Sequence, residues 1–451
     1  MKKMKYFGTD GIRGRAGEPP ITVDFMLHLG WAVGRVLAER FGERAAVVIG
    51  KDTRISGYQF ESALEAGFSA AGVDIMLLGP MPTPAVAHLT RSMHAAAGVV
   101  ISASHNPFHD NGVKFFAGDG HKLGDKMQAQ VEERLQQPIR QVPNRELGKA
   151  WRIYDAIGRY IEFCKGTLTW GVQLNGLKIV VDSANGANYR IGPEVFRELG
   201  ADVVSIFDKP DGFNINRDCG STHPQALSRR VVEEQADLGL AFDGDGDRVI
   251  LVDHRGERVD GDQILFILAE ARRAAGQLNG GVVGTVMSNF GLEQAFAQRN
   301  IDFVRSQVGD RHVHEALLER GWILGGEASG HILCLDRAAS GCGIVSALQV
   351  LETMVKSGRS LADLTAGMQR CPQTTINVPV SSRKAVNLEH ESIASALRSA
   401  ETDLGDQGRV ILRPSGTEPV VRVTVEGFDA AQVDRLVNSL AGAVERALAA
   451  A

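Results

Sequence analysis

The chain repeats one pattern three times: an apolar run, a stretch with helical periodicity, and a second apolar run. The paired runs lie at residues 45–50 and 71–78, 177–182 and 199–204, and 281–286 and 299–304. Strands that alternate with helices at this spacing form right-handed βαβ units, whose mostly parallel sheets carry helices on both faces. The sequence therefore predicts an α/β fold with three related domains and mixed, largely parallel sheets.

The last part of the chain follows a different pattern. The segments 374–380 and 420–425 alternate apolar and polar residues, and an alanine-rich amphipathic helix follows them. This alternation is typical of strands in a half-exposed sheet, so we expect a smaller C-terminal α+β domain. Pro379 cannot donate a ladder hydrogen bond, which predicts that the first of these strands lies at a sheet edge.

Polar stretches between the patterned segments mark the predicted domain boundaries. A chain of 451 residues is expected to form three or four domains at roughly 100–200 residues each. We predict four domains around a central cleft, at residues 1–150, 151–255, 256–370 and 371–451.

Composition excludes several classes of function. A net charge of −5 argues against a general nucleic-acid surface but allows a local basic pocket for a phosphorylated small molecule. The five cysteines form no CxxC pair, which indicates neither a disulfide framework nor a zinc site and favours a reducing cytoplasm. No export signal or membrane span is expected from the apolar runs. Walker A and GxGxxG patterns are absent from the sequence, which argues against the common ATP- and NAD-dependent activities.

An acidic turn lies between two apolar runs at 238–242 and 249–252. It carries Asp243, Asp245 and Asp247 on alternate residues. A solvated loop is one explanation, but close carboxylates repel one another by ~1 kcal/mol or more, and a cation would hold them together. An EF-hand would need glycine at loop position 6 and glutamate at position 12, where this chain has Arg248 and His254. The turn therefore predicts a Mg²⁺ site at the carboxyl end of a strand.

Ser104 is a candidate nucleophile. It follows an apolar run at 97–101, in a loop that Pro107 prevents from continuing as a helix. A serine beside a histidine is most often only a turn residue, because serine and asparagine favour turns. Its role therefore depends on the other motifs of the chain.

Four motifs stand in order: SASHNP at 102–107, DGDGDR at 243–248, GEASGH at 326–331 and RPSGTEP at 413–419. Together they resemble the α-D-phosphohexomutases, and the likeness covers essentially the whole chain. The opening FGTDGIRG at 7–14 and the form ISASHNP at 101–107 are most similar to bacterial members that interconvert glucosamine 6-phosphate and glucosamine 1-phosphate. The resemblance implies a cytoplasmic isomerase on the route to UDP-N-acetylglucosamine and peptidoglycan precursors.

The resemblance implies that Ser104 carries a phosphoryl group in the active enzyme. A phosphoserine oxygen with Asp243, Asp245 and Asp247 would make an all-oxygen site suited to Mg²⁺. The phosphoryl group would pass to O1 of glucosamine 6-phosphate, which gives glucosamine 1,6-bisphosphate as intermediate and activator. This bisphosphate would then turn over and return its 6-phosphate to Ser104.

The resemblance also implies the residues that bind the substrate. Glu327 and Ser329 would hydrogen-bond sugar hydroxyls that keep similar positions when the ligand reverses. Arg248 would support the metal loop or the transferring phosphate. A phosphate clamp of guanidinium, hydroxyl and backbone N–H groups would hold the non-reacting phosphate, and its members are Arg413, Ser415, Gly416, Thr417 and Arg422.

Three further residues are candidates for catalysis. Lys114 matches the lysine that the family places near the phosphoserine, and Lys114 and Arg13 are candidates for charge stabilisation or general acid/base work. His331 would assist proton transfer or orient the phosphate, and a purely structural role is an equal alternative.

One position departs from the family pattern. Gly341-Cys342-Gly343 stands where the family usually shows Gly-Asp-Gly at the start of a helix. Replacement of a capping carboxylate by a thiol is expected to cost ~1 kcal/mol of local stability. It touches none of the predicted catalytic groups.

Other functions stay open at this point. A phosphomannomutase or phosphoglucomutase would use the same four motifs, because none of them identifies a group that reads an amine at C2. A non-catalytic sugar-phosphate sensor would not need Ser104 and three metal carboxylates, and a simple phosphatase would not need a remote clamp. The expected partner is a small phosphosugar, without nucleic acid or membrane, bound by a monomer or homodimer.

Overall fold

The computed structural model describes residues 4–8, 10–42, 45–380, 388, 390–414 and 419–449. Within these ranges, the helices are all too short or too polar to cross a membrane.

The first sheet has six strands in the order β1-β5-β4-β2-β3-β6. Its strands are β1 (Ile12–Arg15), β2 (Ala46–Lys51), β3 (Asp74–Pro80), β4 (Ala97–Ile101), β5 (Asp110–Ala117) and β6 (Ala150–Arg152). The accompanying helices are α1 (Val23–Phe41), α2 (Ser56–Ala70), α3 (Thr83–Ser92) and α4 (Asp125–Arg134). Strand β6 pairs with β3 and so extends this sheet past the predicted boundary at residue 150.

The second sheet has five strands in the order β11-β10-β9-β7-β8. These are β7 (Lys178–Asp182), β8 (Asp202–Ile206), β9 (Leu238–Phe242), β10 (Val249–Asp253) and β11 (Arg258–Val259). The helices between β6 and β9 are α5 (Ala156–Lys165), α6 (Ile191–Glu198) and α7 (Gln225–Glu233).

The third sheet has four strands in the order β13-β12-β14-β15. They are β12 (Val282–Thr285), β13 (Phe303–Ser306), β14 (Leu324–Gly326) and β15 (Ile332–Cys334). Its helices are α8 (Gly261–Ala274), α9 (Phe290–Ala297), α10 (Asp310–Arg320), α11 (Gly343–Ser357) and α12 (Leu361–Thr365).

The first three sheets share one four-strand arrangement. The shared strands are β3-β2-β4-β5, β8-β7-β9-β10 and β13-β12-β14-β15. In each set the first three strands are parallel, and the fourth pairs antiparallel with its neighbour. The prediction of three related α/β domains with mixed, largely parallel sheets is therefore confirmed.

The shared arrangement also positions the sequence motifs. The loops 102–109, 243–248 and 327–331 each join the third strand of their set to the antiparallel fourth strand. Three of the four motifs thus lie in or span equivalent hairpin connections.

The predicted second run of each repeat starts too early. Strands β3, β8 and β13 begin at Asp74, Asp202 and Phe303, three or four residues after the predicted starts at 71, 199 and 299. In each case a residue with positive φ first ends the preceding helix: Gly72 at 83°, Gly200 at 96° and Asn300 at 54°. These apolar runs include the helix-ending turn as well as the strand.

The C-terminal part is α+β, as predicted. Strands β16 (Gln373–Pro379), β17 (Gly408–Pro414) and β18 (Val420–Gly427) form an antiparallel sheet in the order β16-β18-β17. Strand β16 lies at an edge, which confirms the prediction from Pro379. Helices α13 (Glu391–Leu404) and α14 (Ala430–Ala449) pack with this sheet around a hydrophobic cluster of their own.

The other domains are joined more closely. One continuous apolar cluster includes buried side chains from all of the first three sheets, such as Val100, Val181 and Leu324. These sheets therefore hold their hairpin loops in a fixed mutual arrangement in this structure.

Candidate active site

Ser104 lies at the end of a strand that is buried along its whole length. Strand β4 ends at Ile101, and Ser104 then takes a left-handed conformation with φ 53°. The Ser104 N–H donates to Ser102 Oγ at 2.9 Å, and this hydroxyl in turn donates to Asp52 Oδ2 at 2.6 Å. A non-glycine residue with positive φ persists only where its surroundings fix it, and this hydrogen-bond chain does so.

Two side chains hold the same loop by its carbonyls. The Arg54 guanidinium is fully buried, pairs with Asp52 and donates to the carbonyls of Ser104 and Asn106. Asn216, from the second domain, donates to the same two carbonyls at 2.9 Å each. The Ser104 loop is therefore fixed from both domains.

The three carboxylates of the acidic turn converge, as the sequence predicts. One oxygen atom from each of Asp243, Asp245 and Asp247 lies within 4.8 Å of the others, and all three residues are buried. Ser104 Oγ donates to Asp243 Oδ2 at 2.6 Å. The backbone of the acidic turn also lies close to the Ser104 loop. A Cβ atom on Gly244 would be only 2.7 Å from the Ser104 carbonyl oxygen, so glycine is needed there.

This cluster fits a divalent cation. Asp245 Oδ1 and Asp247 Oδ1 are buried and have no hydrogen-bond partner within the described chain. Burial, together with the charges of Asp247 and Asp245, raises the pKa of Asp243 well above its ordinary value. Buried carboxylate oxygens that accept no hydrogen bond are hard ligands of the kind Mg²⁺ prefers, and a cation would keep all three groups ionised.

Lys114 reaches the same cluster from strand β5. Its Nζ lies 2.8 Å from Asp245 Oδ2, 3.3 Å from Asp247 Oδ2 and 3.3 Å from Asp10 Oδ2. Burial lowers the pKa of Lys114, but the three carboxylates outweigh it and raise the pKa above its ordinary value. Arg13 also pairs with Asp10, so this carboxylate links the two predicted catalytic cations.

His331 lies between two carboxylates. Its Nδ1 is 3.6 Å from Asp247 Oδ1, and its Nε2 is 3.7 Å from Asp310 Oδ2. Burial lowers the pKa of His331, but Asp247 and Asp310 raise it to about 9. The ring thus lies between two carboxylates beside the metal cluster, a position that suits proton donation or phosphate orientation.

The predicted sugar loop adjoins the metal hairpin. The Val249 N–H donates to the Gly330 carbonyl at 3.1 Å, and the Gly309 N–H donates to Glu327 Oε1 at 2.9 Å. Ser329 Oγ is buried and has no hydrogen-bond partner in the described structure. A buried hydroxyl without a partner is expected where a ligand supplies one.

The phosphate clamp is only partly described. Arg413 and Arg422 face each other across β17 and β18, and burial together with Arg422 lowers the pKa of Arg413. Ser415, Gly416 and Thr417 lie outside the described residues. The clamp and its relation to Ser104 remain predictions.

Sequence reasoning missed several residues of the site. His105 Nδ1 lies 3.4 Å from Ser104 Oγ and 3.1 Å from the Arg248 guanidinium. Burial and the neighbouring Arg248 lower the pKa of His105 to about 4, so the ring is neutral. His105 and Asp10 lie inside quoted motifs and could have been noticed there, whereas Arg54 and Asn216 lie in no motif.

Cys342 is the N-cap of helix α11. Its Sγ accepts from the Val345 N–H at 3.3 Å and lies 3.0 Å from the Tyr160 hydroxyl. The thiol thus occupies the expected capping position, and a residue of the second domain supports it.

Family models match along nearly all of the chain. Their descriptions are phosphoglucomutase/phosphomannomutase alpha/beta/alpha domains I, II and III, and the C-terminal domain of the same family. The matched residues are 4–141, 159–256, 260–371 and 376–443.

Individual relatives and solved structures are similar to the chain along nearly its whole length. Phosphoglucosamine mutase from Alkalilimnicola ehrlichii is 60% identical over 445 residues, which cover 99% of this chain and 98% of that protein. A phosphoglucomutase/phosphomannomutase family protein from Burkholderia thailandensis has a TM-score of 0.80 at 24% identity, with 97% of each chain covered. N-acetylphosphoglucosamine mutase from Aspergillus fumigatus, solved with GlcNAc-6P and magnesium, has a TM-score of 0.68 at 19% identity and covers 99% of this chain and 96% of its own. The chain therefore belongs to the phosphoglucomutase/phosphomannomutase family, beside its phosphoglucosamine mutases, and is an enzyme of the isomerase class.

Proposed function

We propose that this enzyme interconverts glucosamine 6-phosphate and glucosamine 1-phosphate through a phosphorylated Ser104 and glucosamine 1,6-bisphosphate. The product would supply UDP-N-acetylglucosamine and cell-wall precursors in the cytoplasm. The observation that carries this proposal is the 2.6 Å contact between Ser104 Oγ and Asp243, within a cluster of three buried carboxylates.

The residues around Ser104 suit phosphoryl transfer. Such transfer depends mainly on positioning and on stabilisation of the charge on the transferring group. The hydrogen bonds from Arg54 and Asn216 fix the Ser104 loop, and Lys114 and Arg248 bring positive charge to it. A Mg²⁺ ion bound by Asp243, Asp245, Asp247 and a phosphoserine oxygen would neutralise phosphoryl charge, and magnesium accompanies the sugar phosphate in the Aspergillus fumigatus structure.

The remaining residues would bind and orient the sugar. Glu327 and Ser329 would take sugar hydroxyls, and the unpartnered Ser329 Oγ supports this role. His331 would donate a proton to, or orient, the phosphate. Arg413, Ser415, Gly416, Thr417 and Arg422 would hold the non-reacting phosphate in both orientations of the bisphosphate.

The test compares substrates. The purified enzyme is assayed with glucosamine 6-phosphate, mannose 1-phosphate and glucose 1-phosphate, with Mg²⁺ and a trace of the matching bisphosphate, and both isomer and free phosphate are followed. We expect the highest kcat/KM with the amino sugar. A higher value with a hexose phosphate would transfer the assignment to a phosphomannomutase or phosphoglucomutase activity, and release of free phosphate alone would overturn the mutase proposal.

A further inference from the structure

We propose that the Asp310 carboxylate binds the C2 ammonium group of the amino-sugar substrate and so sets the preference for it over a hexose. This inference rests on the proposed function and deepens it, because the sequence motifs contain no evident group that recognises the substituent at C2 of the sugar.

Asp310 lies directly beside the sugar loop. It is the first residue of helix α10, and the N–H of the preceding Gly309 donates to Glu327 Oε1 at 2.9 Å. Its carboxylate is also 3.7 Å from His331 Nε2, at the other end of the same loop. A sugar held by Glu327 and Ser329 would therefore have the Asp310 side chain close to its ring substituents.

The Asp310 carboxylate already accepts an ammonium group in this structure. Lys122 Nζ lies 2.5 Å from Asp310 Oδ2 and 2.5 Å from Asp10 Oδ1, so it bridges the third and first domains. A substrate ammonium has the same charge and the same donors, and could take the place of Lys122 at Asp310.

The other carboxylates of the site have other partners. Asp243, Asp245 and Asp247 form the metal cluster, and Asp10 pairs with Arg13, Lys114 and Lys122. Glu327 accepts the Gly309 N–H. Asp310 has partners as well, since its Oδ2 pairs with Lys122 and its Oδ1 accepts the Arg311 N–H at 2.8 Å, so a substrate ammonium would have to displace Lys122.

Asp310 is also accessible to a small molecule. Its side chain is 17% exposed, and it lines a cavity of about 320 Å³ together with His331, Lys122 and His314. His314 Nε2 is buried and unpartnered in the described structure, so the cavity wall presents unused polar groups.

A carboxylate at this position would discriminate strongly. A site built to bond one polar group of a substrate rejects the analogue that lacks it, since the site's own group is left unpaired. A hydrogen bond to a charged group corresponds to a preference of about 10- to 100-fold. Glucosamine 6-phosphate and glucose 6-phosphate differ only at C2. The ratio of their kcat/KM values therefore measures the contribution of the contact to the C2 substituent.

The competing explanation is that Asp310 only closes the domains through its bridge to Lys122. Asp310→Asn and Lys122→Met both remove that bridge, but only the first removes the carboxylate. We expect Asp310→Asn to lower kcat/KM about 10- to 100-fold more for glucosamine 6-phosphate than for glucose 6-phosphate. Lys122→Met should change both substrates by the same factor.

Two controls accompany these variants. Glu319→Gln makes the same chemical change at a 75% exposed position of the same helix and should alter neither substrate. Asp310→Ser replaces Asp310→Asn if the latter does not give a folded protein.

The results separate the two proposals. If Asp310→Asn lowers kcat/KM equally for both substrates, as Lys122→Met does, Asp310 only joins the domains and the amine-binding inference fails while the proposed function stands. If the wild-type enzyme shows no preference for the amino sugar, both proposals fail.

Discussion

Replacement of Ser102 by alanine tests whether the hydrogen bonds behind Ser104 hold the nucleophile. Ser102 Oγ accepts from the Ser104 N–H and donates to the buried carboxylate of Asp52. The substitution removes one neutral and one charge-assisted hydrogen bond and leaves a buried N–H unpaired, which together cost about 3 kcal/mol. For a domain of this size that loss corresponds to a fall in Tm of roughly 6–12 °C.

The same substitution should lower the rate of turnover. Ser104 has φ 53°, a conformation that relaxes when its anchor is lost, and a displacement of 1 Å at a reacting group costs on the order of 100-fold in rate. We expect kcat to fall at least about 10-fold with KM nearly unchanged, because Ser102 touches no predicted sugar-binding residue.

The assay combines steady-state kinetics with thermal unfolding. Ser62→Ala is the matched control, because Ser62 is exposed and its hydroxyl donates only to the Tyr58 carbonyl of its own helix. If Ser102→Ala unfolds at the same temperature and turns over at the same rate as Ser62→Ala, the network does not position Ser104 and the reasoning is refuted.

Three further predictions follow from the site and its surroundings. Ser104→Ala should abolish turnover while the protein stays folded, and retained mutase activity would rule out a phosphoserine mechanism. Chelation should abolish activity, and Mg²⁺ should raise the Tm of the wild type but not of Asp245→Asn; equal shifts in both proteins would place the metal elsewhere. Burial, and then Arg91, lower the pKa of His88 to about 4 in the folded protein, whereas an unfolded histidine titrates near 6.5. The unfolded chain then binds more protons below about pH 6.5, so stability is lost as the pH falls towards 4, and His88→Phe should lose less Tm over this interval; identical losses would contradict the pKa shift.

Local patterns in the sequence were sufficient to predict the fold class. The apolar run at 97–101 becomes strand β4 without change, because each of its residues is buried and a strong local pattern agrees with its environment. The starts of β3, β8 and β13 were misplaced, because hydrophobicity does not distinguish a buried turn residue from a strand residue. Pro379 predicted an edge strand correctly, since the missing N–H is a local property.

The candidate site was predictable only where its residues are close in sequence. Asp243, Asp245 and Asp247 share one turn, and their convergence follows from that spacing. Arg54 and Asn216 contact the Ser104 loop across 50 and 112 positions of the chain, and only the packing of two domains brings them there. Such contacts carry no local signal.

The shared hairpin position of the Ser104, metal and sugar loops has a mechanical consequence. Each loop is braced by two antiparallel strands of its own sheet, so its internal shape depends on that sheet. The distances between loops depend instead on the packing of the domains against one another. A mutation at a domain joint, such as the contact between Val249 and Gly330, would alter the span between phosphoryl donor and sugar while each motif stays locally undisturbed.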